Sequence, residues 1–329
     1  MLDAISFALM IVSPNLALMG LGFYLQKMGK INTHFIDTAS NIVFNFALPC
    51  LLFFSVIKNN VDYDEQLALI MAGVVTTFVL FFGAEAYAKI FIKQARDKGV
   101  FVQGVFRSNM AIISLSVATN AYGVSGTSVG AVYVGVITIL CNVLAVITLS
   151  RTSSIKGLSV QSWDILIKIV KNPLIIALVS AFIYKALGLP LPPAPIAKTG
   201  ELMANVALPL ALICAGATLD VKSMLGLSGV SMQASIGRIV IAPLLAVGVG
   251  VAFALEPLQF GVLFLMVSGP AAAASYVMAK AMGGNDVLAA NILGFTAVFG
   301  LIGFYRSRTR RYFWHFRLVF LVHFGGVGT

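Results

Sequence analysis

Charge is scarce in this chain. Only 10% of its 329 residues are Asp, Glu, Lys or Arg, and 59% are hydrophobic, whereas a soluble domain carries about 25% charged and 45–50% apolar residues. A soluble fold of this length could not hide so much apolar surface. The shortage excludes a cytosolic enzyme, a disordered chain and a nucleic-acid-binding domain, and the apolar excess must face a lipid bilayer. Reactive side chains are scarce too, with three histidines and three cysteines. Cys50, Cys141 and Cys214 lie far apart in apolar stretches without a CxxC pair, which fits buried, inert thiols and gives a structural zinc site no support. No HExxH, GxSxG, Walker or GxGxxG sequence is present, and no intramembrane Asp pair. The chain is therefore not expected to be an enzyme, and no catalytic residue, cofactor or metal is assigned.

What the sequence has instead is long charge-free runs. Asp3 to Lys27, Asp37 to Lys58, Glu65 to Glu85, Glu201 to Asp220, Glu256 to Lys280 and Asp286 to Arg306 are all uncharged between their ends, and a membrane helix needs about 20 apolar residues. The longer gap from Arg107 to Arg151 holds Gly123, Gly126 and Gly130 in its middle and reads as two helices and a turn. The spans expected are 4–25, 36–57, 67–91, 100–121, 127–149, 164–186, 198–219, 229–253, 258–281 and 287–304, ten in all. The first begins at Asp3, without the basic region of a signal peptide, and is read as a retained helix.

Loop charge sets orientation. Odd-to-even turns carry 12 cations, from Lys27 to Lys280, and the opposite turns carry three, Lys58, Lys185 and Lys198. The positive-inside rule then places the N-terminus outside, in a multi-pass protein of the cell (inner) membrane. The net charge of +10 falls to +5 over residues 1–304 once the five arginines of the last 25 residues are set aside, a value ordinary for basic cytoplasmic loops.

The two halves echo each other. Asn45-Phe-Ala-Leu-Pro49 matches Asn205-Val-Ala-Leu-Pro209 at an offset of 160, and Pro14, Phe23 and Gly29 match Pro173, Phe182 and Gly188 at 159. With five helices per half, the copies must insert upside down, the build of many secondary transporters. The expected parts are a first repeat over 1–149, a cytoplasmic linker over 150–163, a second inverted repeat over 164–304 and an atypical basic tail over 305–329.

The fourth and ninth spans look interrupted. Arg107-Ser108-Asn109 lies in one and Gly269-Pro270 in the other; at an offset of 161 Ser108 aligns with Gly269, Asn109 with Pro270 and Ser114 with Ser275. A mid-span proline removes an amide donor and breaks the helix. Backbone freed at that depth is tolerated only where it lines a cavity or is buried in protein, and half-helix N-termini there present partial positive charge to an anion. A simple proline kink is the plainer reading. Arg107 stands about 12 Å into its span, and Arg238 is similarly deep. Each suits anion attraction or a structural cation on backbone carbonyls. Glu85 suits an end-of-span charge or a proton carrier. Asn45 and Asn205 precede matching prolines, where an amide can satisfy the carbonyl a kink frees. Arg107, Ser108, Asn109, Gly269, Pro270, Ser275, Asn45, Asn205 and Arg238 form the candidate substrate-binding set.

These motifs resemble the auxin efflux carrier family of membrane transporters in its short bacterial form. The features are Asn45-Phe-Ala-Leu-Pro-Cys-Leu-Leu-Phe, Lys171-Asn-Pro-Leu-Ile-Ile, Ala204-Asn-Val-Ala-Leu-Pro-Leu and Gly269-Pro-Ala-Ala-Ala-Ala-Ser-Tyr, and the likeness spans residues 1–296. The resemblance implies an all-α fold of ten transmembrane helices in two inverted five-helix repeats, with broken fourth and ninth helices crossing at the transport site. It implies elevator-like movement, and small carboxylates such as malonate or malate as substrates. The reading is a secondary active transporter of a small organic anion. The alternatives are a sodium-coupled symporter of bile-acid type and a non-transporting membrane receptor; few mid-span carboxylates disfavour sodium. The partners expected are the carboxylate and the bilayer, with no nucleic acid, and with room for protons as coupling ion and for a homodimer. The tail departs from the family, since Tyr305-Arg-Ser-Arg-Thr-Arg-Arg interrupts the apolar run. It has the composition of a shifted or truncated reading frame and is expected to pack on nothing.

Overall fold

A computed structural model describes residues 2–58, 66–152, 167, 170–224 and 229–308. The chain is helical throughout, and among the described residues the one departure toward a sheet is a single antiparallel bridge. Long helices come first: α1 (Leu2–Lys27), α2 (Thr33–Lys58) and α3 (Leu67–Phe91). A short α4 (Ala95–Phe106) is followed by a π turn (Met110–Ser114) and then by α5 (Leu115–Thr152), which bends at Gly123. The second half holds α6 (Pro173–Ala186), α7 (Ala194–Thr218), the one-turn α8 (Val221–Met224), α9 (Val230–Ala252), α10 (Pro257–Ser268), α11 (Ala273–Ala281) and α12 (Asp286–Arg308). Among the described residues five helices are long and apolar enough to cross a membrane, and the apolar parts of α6, α10 and α12 are shorter.

Local chemistry fixes the ends. Asn32 caps α2 by accepting from the Phe35 N–H at 2.9 Å, and Asn172 caps α6 by accepting from the Leu174 N–H at 2.9 Å, with Pro173 at the first helical position. The sixth span is thus interrupted at Lys171 and Asn172, just before Pro173, rather than running unbroken from 164. Gly29 and Gly188, matched in sequence, end α1 and α6 with φ of +67° and +63°. Around them Lys30 N–H bonds Leu25 O at 2.9 Å, and Leu189 N–H bonds Tyr184 O at 3.4 Å, the same six-residue cap in both places. Gly123 (φ 64°, ψ −144°) leaves helical geometry and divides α5 into two helices across a kink, as the sequence leads one to expect, with the turn confined to that residue and Gly126 and Gly130 inside the second helix. The α12 helix runs to Arg308 instead of stopping at 304. The rest of the basic tail, 309–329, and most of the 150–163 linker lie outside the described residues.

Two further π turns explain themselves by proline. Val43–Ala47 in α2 precedes Pro49, and Gly237–Ile241 in α9 precedes Pro243. A proline ring crowds the carbonyl four residues back and offers it no N–H, and a widened turn relieves both problems.

The α1 helix lies along α7, α2 against α6 and α7, and α3, α4 and α5 pack together with α10 against α5. A Cβ on Gly22 or Gly216 would overlap the facing backbone of α7 or α1, so these glycines let the two helices touch. Large apolar side chains stand outside, with Phe82, Ile90 and Leu244 each more than 60% exposed, as a lipid-facing surface requires.

Polar contacts gather at the two ends of the bundle. At one, Arg96 donates to the carbonyls of Gly283 (3.2 Å) and Gly284 (3.1 Å), and Asn285 donates to Asp97 at 2.8 Å. At that end Lys280 also bridges Asp286 (2.6 Å) and Asp37 (2.9 Å). At the far end of α2, Lys58 pairs with Glu201. Glu85 is half-buried and accepts from Thr148 at 2.6 Å.

Candidate functional site at the crossing of two broken helices

Both interrupted spans are interrupted in fact. The α4 helix stops at Phe106 because Arg107 turns to extended geometry (φ −96°, ψ 105°). The chain restarts at Met110, where the N–H groups of Ile113 (3.2 Å) and Ser114 (3.3 Å) share the Asn109 carbonyl. The α10 helix stops at Ser268 as Gly269 turns extended (φ −57°, ψ 152°), and α11 resumes at Ala273. Each break exposes backbone groups that a membrane interior cannot satisfy. They satisfy each other. Asn109 N–H donates to Pro270 O at 2.7 Å, Ala272 N–H donates to Arg107 O at 3.3 Å, and Ser108 and Ala271 face one another as an antiparallel bridge.

Side chains serve the remaining groups. The Ser108 hydroxyl donates to Met266 O at 2.7 Å and so caps the end of α10. Arg238 Nη1 donates to Val105 O at 2.9 Å and puts a cation at the C-terminal end of α4. Ala271 N–H donates to the Thr296 hydroxyl at 3.0 Å, which itself donates to Ile292 O at 2.8 Å. Carbonyl ends are thus covered, while the continuing helices both begin at the crossing. A helix start leaves its first N–H groups without intrahelical partners and carries a positive dipole end. Two such starts converging make the crossing attractive to an anion.

Arg107 adds a full charge. It is 6% exposed, and its Nη2 donates to Asn142 Oδ1 at 2.7 Å. The Gln103 amide, with its oxygen toward the guanidinium, accepts from Nη1 at 3.1 Å and donates to Ser275 O at 3.2 Å. Arg238 is wholly buried. Among the described residues neither arginine has a carboxylate within ion-pair distance. Two uncompensated guanidinium groups in one core are expensive unless something negative visits.

Of the sequence candidates, Arg107, Ser108, Asn109, Gly269, Pro270 and Ser275 come together here, and Arg238 touches the site through Val105. Ser108 is committed as a cap, which removes it from the free donors. Asn45 and Asn205 do not join. Both are exposed on α2 and α7, and Asn45 donates to Asn41 O at 2.9 Å, filling its own kink.

A family model described as membrane transport protein matches residues 7–304. The chain belongs to the auxin efflux carrier family. No curated protein matches it. It is a multi-pass membrane protein, and family membership makes it a membrane transporter. Within this auxin efflux carrier family chain, Gln103, Asn142 and Thr296 were missed from sequence. Their signal is a lone polar residue in an apolar run, which is the mark of a buried hydrogen bond as often as of a site.

Proposed function

We propose that this carrier is a secondary active transporter of small organic anions, mono- or dicarboxylates such as malonate or malate. The observation that carries the reading is the pair of broken helices whose continuing halves both start at one buried crossing, beside an arginine with no carboxylate partner among the described residues. A carboxylate entering there meets two dipole ends and the field of Arg107, and needs no metal.

The architecture that accompanies it is ten helices in two inverted repeats, 1–149 and 164–304, with the N-terminus outside. The matched caps at Gly29 and Gly188 support the repeat. Every polar pair described at the bundle ends joins helix ends that the loop-charge count assigns to one side: Asp37 with Lys280, Arg96 and Asp97 with the 283–285 turn, and Lys58 with Glu201.

The test is flux. Purified carrier in proteoliposomes, offered radiolabelled malonate, malate and acetate, is expected to accumulate at least one against protein-free vesicles. Imposed proton and sodium gradients then separate proton coupling from sodium coupling. Binding without flux would mean a receptor, and sink the reading.

A further inference from the structure

Hydroxyls on helices in this protein follow a habit. Thr76, Ser180, Thr199, Thr218 and Ser235 each donate to the carbonyl four residues back, at 2.7 to 2.9 Å. In a membrane helix this is how a serine or threonine hides its proton. Several buried hydroxyls break the habit, Ser40, Thr138 and Ser268 among them, and two more stand at matched positions of the crossing. Ser114 is fully buried and Ser275 is 7% exposed, and neither Oγ has a hydrogen-bond partner among the described residues.

The backbone explains why. Ser114 closes the π turn, whose bonding reaches back five residues, to Asn109, so the carbonyl four back is displaced from its usual place. Ser275 is the third residue of α11, and the residue four before it, Ala271, lies in the break. Both serines are therefore deprived of the ordinary acceptor by the interruption that makes the site. They also occupy matching positions in the two halves, 161 residues apart. The Ser114 hydroxyl lies against Gly269, where any Cβ would collide with it. Ser275 stands in the first turn of α11 with its carbonyl held by Gln103, the residue that also holds Arg107.

Resting on the transport reading above, we infer that Ser114 and Ser275 are the paired neutral donors that grip the substrate carboxylate, one from each half, while Arg107 acts from behind through its field. Arg107 already spends two arms on Asn142 and Gln103, and Ser108 spends its proton on Met266. The two free hydroxyls, together with the opening N–H groups of their helices, are donors without duties. A carboxylate oxygen is a strong acceptor, and a hydrogen bond to a charged group is stronger than one between neutral groups.

The experiment compares Ser114→Ala, Ser275→Ala and the double variant with the parent in detergent. Binding of radiolabelled malonate, malate and acetate is measured, along with melting in the absence of ligand. Each single variant is expected to bind about tenfold more weakly, and the double variant weaker still. Ligand-free melting should stay level or rise, because alanine removes a buried hydroxyl that bonds to nothing. Ser180→Ala, on the outer face of α6, should leave binding unchanged. Ser275→Cys keeps the volume with a weak donor and serves if an alanine variant folds poorly; it too should weaken binding. Serine variants that bind as the parent does overturn the inference, as does lowered ligand-free melting with unaltered affinity. A parent that binds none of the three carboxylates strikes at the transport reading instead.

Discussion

The two breaks do one job with different chemistry. The first, Arg107-Ser108-Asn109, is polar and contributes side chains: a guanidinium, a hydroxyl cap and a buried amide. The second, Gly269-Pro270-Ala271-Ala272, is apolar and contributes backbone: a carbonyl from Pro270 and N–H groups from Ala271 and Ala272. Matched sequence positions therefore do not mean matched function. The first break brings charge to the crossing and the second brings shape, with Gly269 leaving room for Ser114, while the second half adds its own cation from Arg238 on α9. Even the restarts differ, a π turn in one and an α-helix in the other.

The sharpest way to break this comparison is to remove the charge. Arg107→Ala should weaken carboxylate binding and flux by about ten- to a hundredfold, since it removes the full positive charge whose field the carboxylate meets in a dry core. Asn142→Ala should give a smaller loss of the same kind by letting the guanidinium wander. Arg107→Lys should not rescue, because a point charge cannot reach Asn142 and Gln103 together. Measured in proteoliposomes, full activity in Arg107→Ala would mean that the polar break is only structural.

Next comes shape. Gly269→Ala should cost about 1–3 kcal/mol in stability, as overpacking in a tight core does, because its Cβ meets the Ser114 hydroxyl. Adding Ser114→Ala removes that oxygen and should restore much of the melting temperature. Additive losses in the double variant would show that the collision is not what matters. At the matched position Ser108→Ala should lose only the Met266 cap, near 1 kcal/mol.

Much of this was legible beforehand, for physical reasons. Charge-free runs locate helices because lipid tolerates no charge. Gly-Pro in mid-span locates a break because proline lacks a donor, and the matching Ser-Asn locates its partner. What stayed hidden depends on direction. Gln103, Asn142 and Thr296 are single polar residues in apolar runs, and a sequence does not say which face of a helix they occupy until the neighbours are known. The π turns are hidden as well: prolines follow two of them, but the same prolines would suit a plain kink. Asn45 and Asn205 were grouped with the site on pattern alone. Both amides stand exposed on α2 and α7, and the Asn45 amide bonds its own helix at Asn41 O.

The comparison of halves can be sharpened where they agree. Gly29 and Gly188 sit at φ of +67° and +63°, and nothing lies within 4 Å of a Cβ added to either. Only the backbone penalty remains, about 1–2 kcal/mol for a left-handed alanine. Gly29→Ala and Gly188→Ala should lower melting equally. Unequal losses would mean that one cap is held by its surroundings and that the repeat is less alike than its geometry.

The smallest expected effect lies at the end of the bundle where one lysine serves both halves. Lys280 bonds Asp286 of its own half at 2.6 Å and Asp37 of the other half at 2.9 Å. The Asp37 side chain is 52% exposed and the Asp286 side chain 25%. An exposed ion pair contributes about 0–1 kcal/mol, because water screens it and ordering long side chains offsets the attraction. Asp37→Asn should therefore change melting by no more than that, since Lys280 keeps Asp286. Asp286→Asn should cost more, as it removes the closer and better-buried carboxylate and leaves Lys280 only a wet partner. Thermal melting at low and high salt decides. Salt should erase the Asp37 effect first, and a larger loss from Asp37→Asn than from Asp286→Asn would mean that the contact between halves, rather than the local turn, holds this end together.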